Sequence, residues 1–336
     1  MSSGGAGRLV AVVVTHDRLA ALRVTLARLL AAPADALHAV VVVDNASTDG
    51  TAAWLAAQDD PRLRVHRLAV NGGGAGGFAA GMALAREAFD PDWIVVMDDD
   101  ARPEPGALEA FHAANPGRWD AVAAAVYFPD GRICEMNRPS RNPFWHGRAF
   151  AATALRGRGG FHLPPGAYAA PDPVEIDVTS FVGFFVSRAG MDRAGLPDPG
   201  LFLYGDDGIY TLELRRAGGR MAFLPQVRFE HACGTFGSAQ RGRFLPLWKV
   251  YYYHRNLLLL YRLAAGPVLF WPAAALVLPK WFAKARHHPA SERRAFARLM
   301  ARAVAHGLAR RTGTAHGRVL GWARTPEPGD RKRPGG

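Results

Sequence analysis

Residues 9–18, LVAVVVTHDR, set a run of aliphatic, mostly β-branched side chains directly against a polar end. A short apolar run without alternation, bounded by turn formers, suits a strand covered on both faces of its sheet. The pattern returns in AVVVVDNASTDG (39–50) and in WIVVMDDD (93–100), and RLRVHRLAV (62–70) supplies a further strand. Between them, Leu22, Leu26, Leu29 and Leu30 recur at helical spacing before Pro33, and Thr51–Ala57 reads as a second helix. NGGGAGG (71–77) reads as a loop that opens a helix over Phe78–Phe89. Strands alternating with helices predict an α/β fold with a mostly parallel central sheet and helices on both faces. Ligands of such sheets bind at the carboxyl ends of the strands, where His16-Asp17-Arg18, Asp44-Asn45 and Asp98-Asp99-Asp100 all fall.

Composition narrows the function. At 336 residues, 49% hydrophobic and 21% charged, the chain is an ordinary globular sequence of one or two domains, which excludes a disordered polypeptide. The formal charge of +12 is concentrated at one end: from Lys280 onward there are 14 basic residues against 3 acidic, leaving the rest near neutral. No helix-turn-helix, zinc-finger or RNP pattern accompanies that charge, so no nucleic-acid partner is expected. Two cysteines, Cys134 and Cys233, without C-x-x-C spacing indicate neither a disulfide scaffold nor a thiolate zinc site, and a reducing cytosol fits. The start MSSGGAGR lacks the pattern of a secretion signal.

The stretch 115–170 is rich in Gly, Pro and Arg and reads as mixed strands and loops. DVTSFVGFFVSRAGM (177–191) looks like a strand entering a helix, LFLYGDDGIYTLELRRAGG (201–219) like a two-acid loop and a helix closed by glycine, and MAFLPQVRFEHACG (221–234) like a last strand. From Phe244 the chain changes character, giving domains at 1–243 and 244–336. KVYYYHRNLLLLYR (249–262) is an aromatic-rich helix, and residues 263–279 carry no charge but three prolines, at the lower edge of a membrane-spanning length. SERRAFARLMARAVAHGLARR (291–311) is a basic amphipathic helix, so an anionic membrane surface is the expected partner of this region.

Three adjacent carboxylates at a strand end repel one another unless a cation neutralises them, and hard oxygen donors suit Mn²⁺ or Mg²⁺ held jointly with substrate phosphates. A solvated turn is the plain alternative. Gly72, Gly74 and Gly77 fall at G-x-G-x-x-G spacing with acids about twenty residues on, a near match to a dinucleotide fingerprint and hence to an NAD-dependent oxidoreductase. Asp206 and Asp207 stand before a helix, where acids cap helix ends, and a carboxylate in a cleft can also act as a general base. His231 ends a strand and becomes a metal ligand only where others assemble beside it.

In order and spacing, VVVTHDR, VVVDNASTDGT, NGGGAGGFAAGM, WIVVMDDDARPEP, LFLYGDDGIYTLELRRAG, FEHACG and YYYHRN resemble the family 2 glycosyltransferases with the GT-A (Rossmann-like) fold. Within that family they are most similar to the galactofuranosyl- and rhamnosyltransferase branch. The resemblance implies an inverting transferase that moves galactofuranose from UDP-galactofuranose, or rhamnose from its dTDP donor, to a polyprenyl-diphosphate-linked or other glycan acceptor at the cytoplasmic face of the cell membrane. It also implies that Asp98, Asp100 and His231 hold Mn²⁺ or Mg²⁺ and that Asp99 supports the nucleotide. By the same resemblance Asp44 meets the base, and Thr15, Arg18, Asn71 and Gly74 line the donor pocket. Asp207 becomes the general base, and Phe184, Phe185 and Asp206 face the acceptor. The Gly-Asp-Asp sequence leaves the choice between Asp206 and Asp207 open.

Overall fold

The computed structural model describes residues 7–233 and 243–324, in two compact units, 1–233 and 234–336. The composition boundary at 243/244 falls beside residues 234–242, which lie outside the described residues.

The first unit opens with the alternation read from sequence: β1 (Leu9–Thr15), α1 (Leu19–Leu30), β2 (Ala39–Asp44), α2 (Thr51–Ala56), β3 (Leu63–Arg67), α3 (Gly73–Phe89) and β4 (Trp93–Asp98). It continues with β5 (Ala101–Pro103), α4 (Ala107–Ala113), β6 (Ala121–Tyr127), α5 (Gly147–Arg156), β7 (Val174–Glu175), β8 (Phe184–Ser187), α6 (Arg188–Ala194), α7 (Asp206–Arg216) and β9 (Met221–His231). The strands form one sheet in the order β3-β2-β1-β4-β8-β6-β9-β5, with β7 beside β9. It is parallel from β3 through β4 and mixed beyond, because β8 enters antiparallel between β4 and β6. Both faces are covered, as the unbroken apolar strands require: Leu9, Ala11 and Val13 point into one core and Val10, Val12 and Val14 into the other.

The glycine run differs from its reading as a loop. α3 already begins at Gly73, and its glycines recur every four residues on the face that lies on the sheet. A Cβ at Gly77 would meet Val14 Cγ1 at 2.4 Å, and one at Gly81 would meet Val12 Cγ1 at 2.4 Å and Val43 Cγ2 at 2.9 Å. Helix and sheet therefore approach closely at Gly77, the last glycine of the G-x-G-x-x-G spacing, whereas a Cβ at Gly74 would meet nothing nearer than 4.0 Å. The second departure is α5, a helix in the stretch read as strands and loops.

In the second unit, α8 (Lys249–Ala283) is long and apolar enough to cross a membrane by length and composition. It bends at Gly266 (φ 70°), just before Pro267, whose ring cannot follow a regular helical turn. Two more helices complete the unit, α9 (Ala290–Leu308) and α10 (His316–Ala323). The apolar stripe of α9, Phe296, Leu299, Met300 and Ala303, is buried, and a Cβ at Gly307 would strike Leu258 of α8. That stripe serves packing within the unit.

Because Val12 and Val14 cannot retreat within a close-packed core, Gly81→Ala and Gly77→Ala are each expected to destabilise the protein by about 1–3 kcal/mol. Urea unfolding monitored by circular dichroism measures this, and unchanged midpoints would contradict the packing account.

Candidate active site

β4 ends at Asp98, and Asp99 and Asp100 occupy the turn before β5. Thr25 of α1 ties down that turn, its hydroxyl donating to the carbonyls of Asp99 (2.7 Å) and Ala101 (3.2 Å). Thr15, at the end of β1, donates to Asp99 Oδ2 at 2.8 Å. Arg18 spans the acids, with Nη2 2.6 Å from Asp100 Oδ2 and Nη1 3.3 Å from Asp99 Oδ1. The antiparallel β5–β9 register sets Ala101 opposite His231, which carries the imidazole to Asp100: His231 Nε2 lies 3.2 Å from Asp100 Oδ1.

The charges respond to these contacts. Burial pushes Asp98 up to about 7, reinforced by its acidic neighbours and opposed by His231 and Arg18. Burial likewise raises Asp99 to about 6 against the pull of Arg18 and Thr15. For Asp100 burial is outweighed by the bond and charge of His231 and by Arg18, which hold it down to about 2. His231, which burial alone would lower, is raised to about 10, chiefly by Asp100.

His231 is oriented from behind by a residue that sequence reasoning missed. Its Nδ1–H donates to Asn137 Oδ1 at 2.8 Å, and Asn137 Nδ2 in turn donates to Ser180 Oγ at 2.8 Å. This fixes the ring so that Nε2 faces the acids. Asn137 lies in an irregular segment with no periodicity to mark it, so only the fold reveals it.

Asp98, Asp100 and His231 each offer a ligand atom, all within 4.8 Å of one another. Among the described residues the Asp98 carboxylate makes no hydrogen bond or ion pair, and it is buried between the positive His231 and Arg18 and its acidic neighbours Asp99 and Asp100. Two carboxylates and an imidazole fit Mn²⁺ or Mg²⁺. Cys134 and Cys233 approach the other side of His231 as a softer donor set.

The neighbouring loops are stitched together. Asp17 Oδ1 accepts from the Thr48 amide at 2.6 Å, and Asp49 Oδ2 accepts from the Leu19 amide at 3.0 Å, joining the loops after β1 and β2. Asn45 accepts from the Gly72 amide and donates to the Gly73 carbonyl, holding the start of α3, while Asn71 Oδ1 accepts from the Gly73 amide. Gly73 has φ +71°, and a Cβ there would lie 1.9 Å from the Phe202 carbonyl, which also accepts from the Ala75 amide at 3.2 Å. The start of α3 thus touches the loop that carries the two acids.

That loop reaches α7 through three residues with positive φ, Phe202, Tyr204 and Gly205, a conformation unusual for the first two. Burial raises both Asp206 and Asp207. Asp206 is further raised by Asp207 and by Asp98, so its carboxyl lies within electrostatic reach of the triad. Asp207 Oδ1 accepts from the Gly208 amide at 2.6 Å, at the positive end of the helix.

Three expectations need revising. Phe184 and Phe185 are fully buried: Phe185 stacks on Phe111 at 4.2 Å, and Phe184 meets Tyr210 edge-on, because a strand between two apolar layers turns both side chains into the core. They do not face an acceptor. Thr15 is enclosed against Asp99 and supports the acids instead of lining a pocket. Asp44 is fully buried, with Oδ1 accepting from the Ser47 amide and Arg67 Nε 3.4 Å from Oδ2, so a base reaches it only once the exposed Arg67 moves aside.

The family model for glycosyl transferase family 2 matches residues 10–170. The galactofuranosyltransferase GlfT1 of Mycobacterium tuberculosis is 28% identical over 234 residues, covering 67% of this chain and 70% of that protein. An undecaprenyl-phosphate mannosyltransferase of Micrococcus luteus is 30% identical over 154 residues, 44% of this chain and 60% of that one. Among solved structures, the mannosyltransferase PcManGT of Pyrobaculum calidifontis, in complex with GDP-Man and Mn²⁺, superposes with a TM-score of 0.51 at 18% identity, over 95% of this chain and 80% of that one. The half-parallel sheet ending in carboxylates is the GT-A fold, and the molecule is a glycosyltransferase. Over residues 10–170 it is similar to family 2, and over 67% of its length to a galactofuranosyltransferase.

Two predictions arise from this geometry. Asn137→Ala is expected to lower Mn²⁺ affinity about 10–100-fold by freeing the His231 ring; titration calorimetry measures this, and an unchanged affinity would remove Asn137 from the site. Asp98, Asp99 and His231 all keep protons in the fold above the pH at which the unfolded chain, with ordinary values of 3.8 and 6.5, releases them. Stability without divalent ions should therefore fall as pH rises from about 4 to about 10, and Asp98→Asn should flatten the part of the slope below about 7. Thermal unfolding across that range tests the sign.

Proposed function

We propose that the protein is an inverting, metal-dependent galactofuranosyltransferase that uses UDP-galactofuranose and extends a lipid-linked glycan in cell-envelope polysaccharide synthesis. The observation that carries this reading is the meeting of Asp98, Asp100 and His231 with the acid pair of α7 at one end of the sheet, in a chain similar to galactofuranosyltransferases. When bound, a divalent ion supplies charge neutralisation to the leaving diphosphate. Asp98, Asp100 and His231 would hold it, and Arg18 adds a further positive group beside Asp99 and Asp100.

On the acceptor side, Asp207 takes the proton from the attacking hydroxyl as that oxygen displaces the diphosphate from the opposite face, which inverts the anomeric centre. Its raised pKa gives the carboxylate proton affinity at neutral pH, the property a base needs. Asp206 is itself pushed up to about 8 by burial and by its acidic neighbours Asp207 and Asp98. The second unit seats the enzyme on the cytoplasmic face of the membrane: Val268, Leu269, Trp271 and Leu276 of α8 are exposed, followed by Lys280 and Lys284.

Transfer assays with UDP-galactofuranose and dTDP-rhamnose on a synthetic lipid-linked acceptor test the donor; turnover with the dTDP sugar alone would move the protein to the rhamnosyl side of its branch. Asp207→Asn should leave donor binding intact and cut turnover about 10²–10⁴-fold, whereas Asp100→Ala should abolish Mn²⁺-dependent donor binding. Retained turnover in Asp207→Asn would transfer the base role to Asp206.

A further inference from the structure

α5 is built inside out for a soluble helix. It rests on the unit through Ala149, Ala152 and Thr153, which are half-buried, while Phe150, Ala151, Ala154 and Leu155 are all exposed. At 100° per residue these four fall on one contiguous arc, so the wide apolar side faces outward. Leu155 is 85% exposed and Phe150 51%, and Trp145, just ahead of the helix, is 38% exposed. No residue of α5 is buried, yet its start is anchored: His146 Nε2 lies 2.7 Å from Asp177 Oδ2, and buried Asp177 also accepts from Arg215 Nε at 2.9 Å.

The charge around this stripe is of one sign. Between Glu135 and Asp172 there are five arginines and no acidic residue. Arg141, Arg148 and Arg156 are exposed and, among the described residues, no carboxylate pairs with them. An outward apolar stripe with an aromatic residue at its edge and unpaired guanidinium groups beside it is the pattern of a helix lying in a membrane interface. A second copy of the chain is the poorer occupant, since it would bring the same three cations against these.

We propose that α5, with Trp145, Phe150 and Leu155 as its inserting side chains and Arg141, Arg148 and Arg156 on lipid phosphates, docks the catalytic unit onto an anionic phospholipid surface. This contact is separate from the one assigned to the second unit and independent of the identity of the donor sugar.

Hydrogen exchange of the full-length protein, read by mass spectrometry over residues 145–156, tests the contact with vesicles of phosphatidylcholine alone or mixed with phosphatidylglycerol. Exchange in this segment should slow on the mixed vesicles and not on phosphatidylcholine. Phe150→Ser with Leu155→Ser should abolish the slowing while leaving circular dichroism and the melting temperature unchanged, because both side chains are exposed. Each of Arg148→Gln and Arg156→Gln should weaken vesicle partition about five-fold. Unaltered exchange over 145–156 while the protein floats with the mixed vesicles would overturn the proposal, and so would protection that rises with protein concentration in the absence of vesicles, which would assign the face to a second copy. Neither result bears on sugar transfer, so failure here leaves the glycosyltransferase reading standing.

Discussion

Three carboxylates crowd the end of β4, and the need to hold them there against mutual repulsion and burial shapes everything around them. Desolvation works against each one. Arg18 spans Asp99 and Asp100 from α1, Thr15 and Thr25 fasten the turn, and His231 reaches Asp100 from β9. Asp98 is left without such a partner among the described residues. The fold therefore neutralises part of the charge with its own cations.

The second constraint is the closeness of α3 to the sheet and to the loop before α7. Gly77 and Gly81 let the helix settle onto Val14, Val12 and Val43, which fixes the height of its first turn. Gly73 then lets that turn reach the Phe202 carbonyl, while Asn45 grips the Gly72 amide from the end of β2. The first strands and the loop that carries the acids of α7 are linked through this contact. A displacement of the helix start would be felt on both sides at once, which suits a reaction that must align a leaving group with an attacking hydroxyl.

Much of this was legible in the sequence, for definite reasons. Apolar strands ending in acids repeat at βα spacing, so the positions of Asp44, Asp98–Asp100 and His231 at strand ends followed from pattern alone. What pattern could not supply was direction. Phe184 and Phe185 are adjacent in a strand, and adjacency in a strand places side chains on opposite faces; only the presence of helices on both sides shows that each face is core. The glycines matched a nucleotide fingerprint because close packing and phosphate approach both require the absence of a Cβ. Asn137 and α5 sit in a stretch whose Gly, Pro and Arg content masks periodicity, and α5 shows its meaning only once its apolar side is seen facing outward.

The central claim is that Asp98, Asp100 and His231 together hold a divalent ion that engages the donor diphosphate. Its most direct test is a crystal of the protein grown with Mn²⁺ and UDP, with diffraction recorded at the manganese absorption edge. The account predicts an anomalous peak within coordination distance of Asp98, Asp100 and His231 Nε2 and in contact with the diphosphate. A peak at Cys134 and Cys233 instead, or ordered UDP bound in the cleft without manganese, would contradict it.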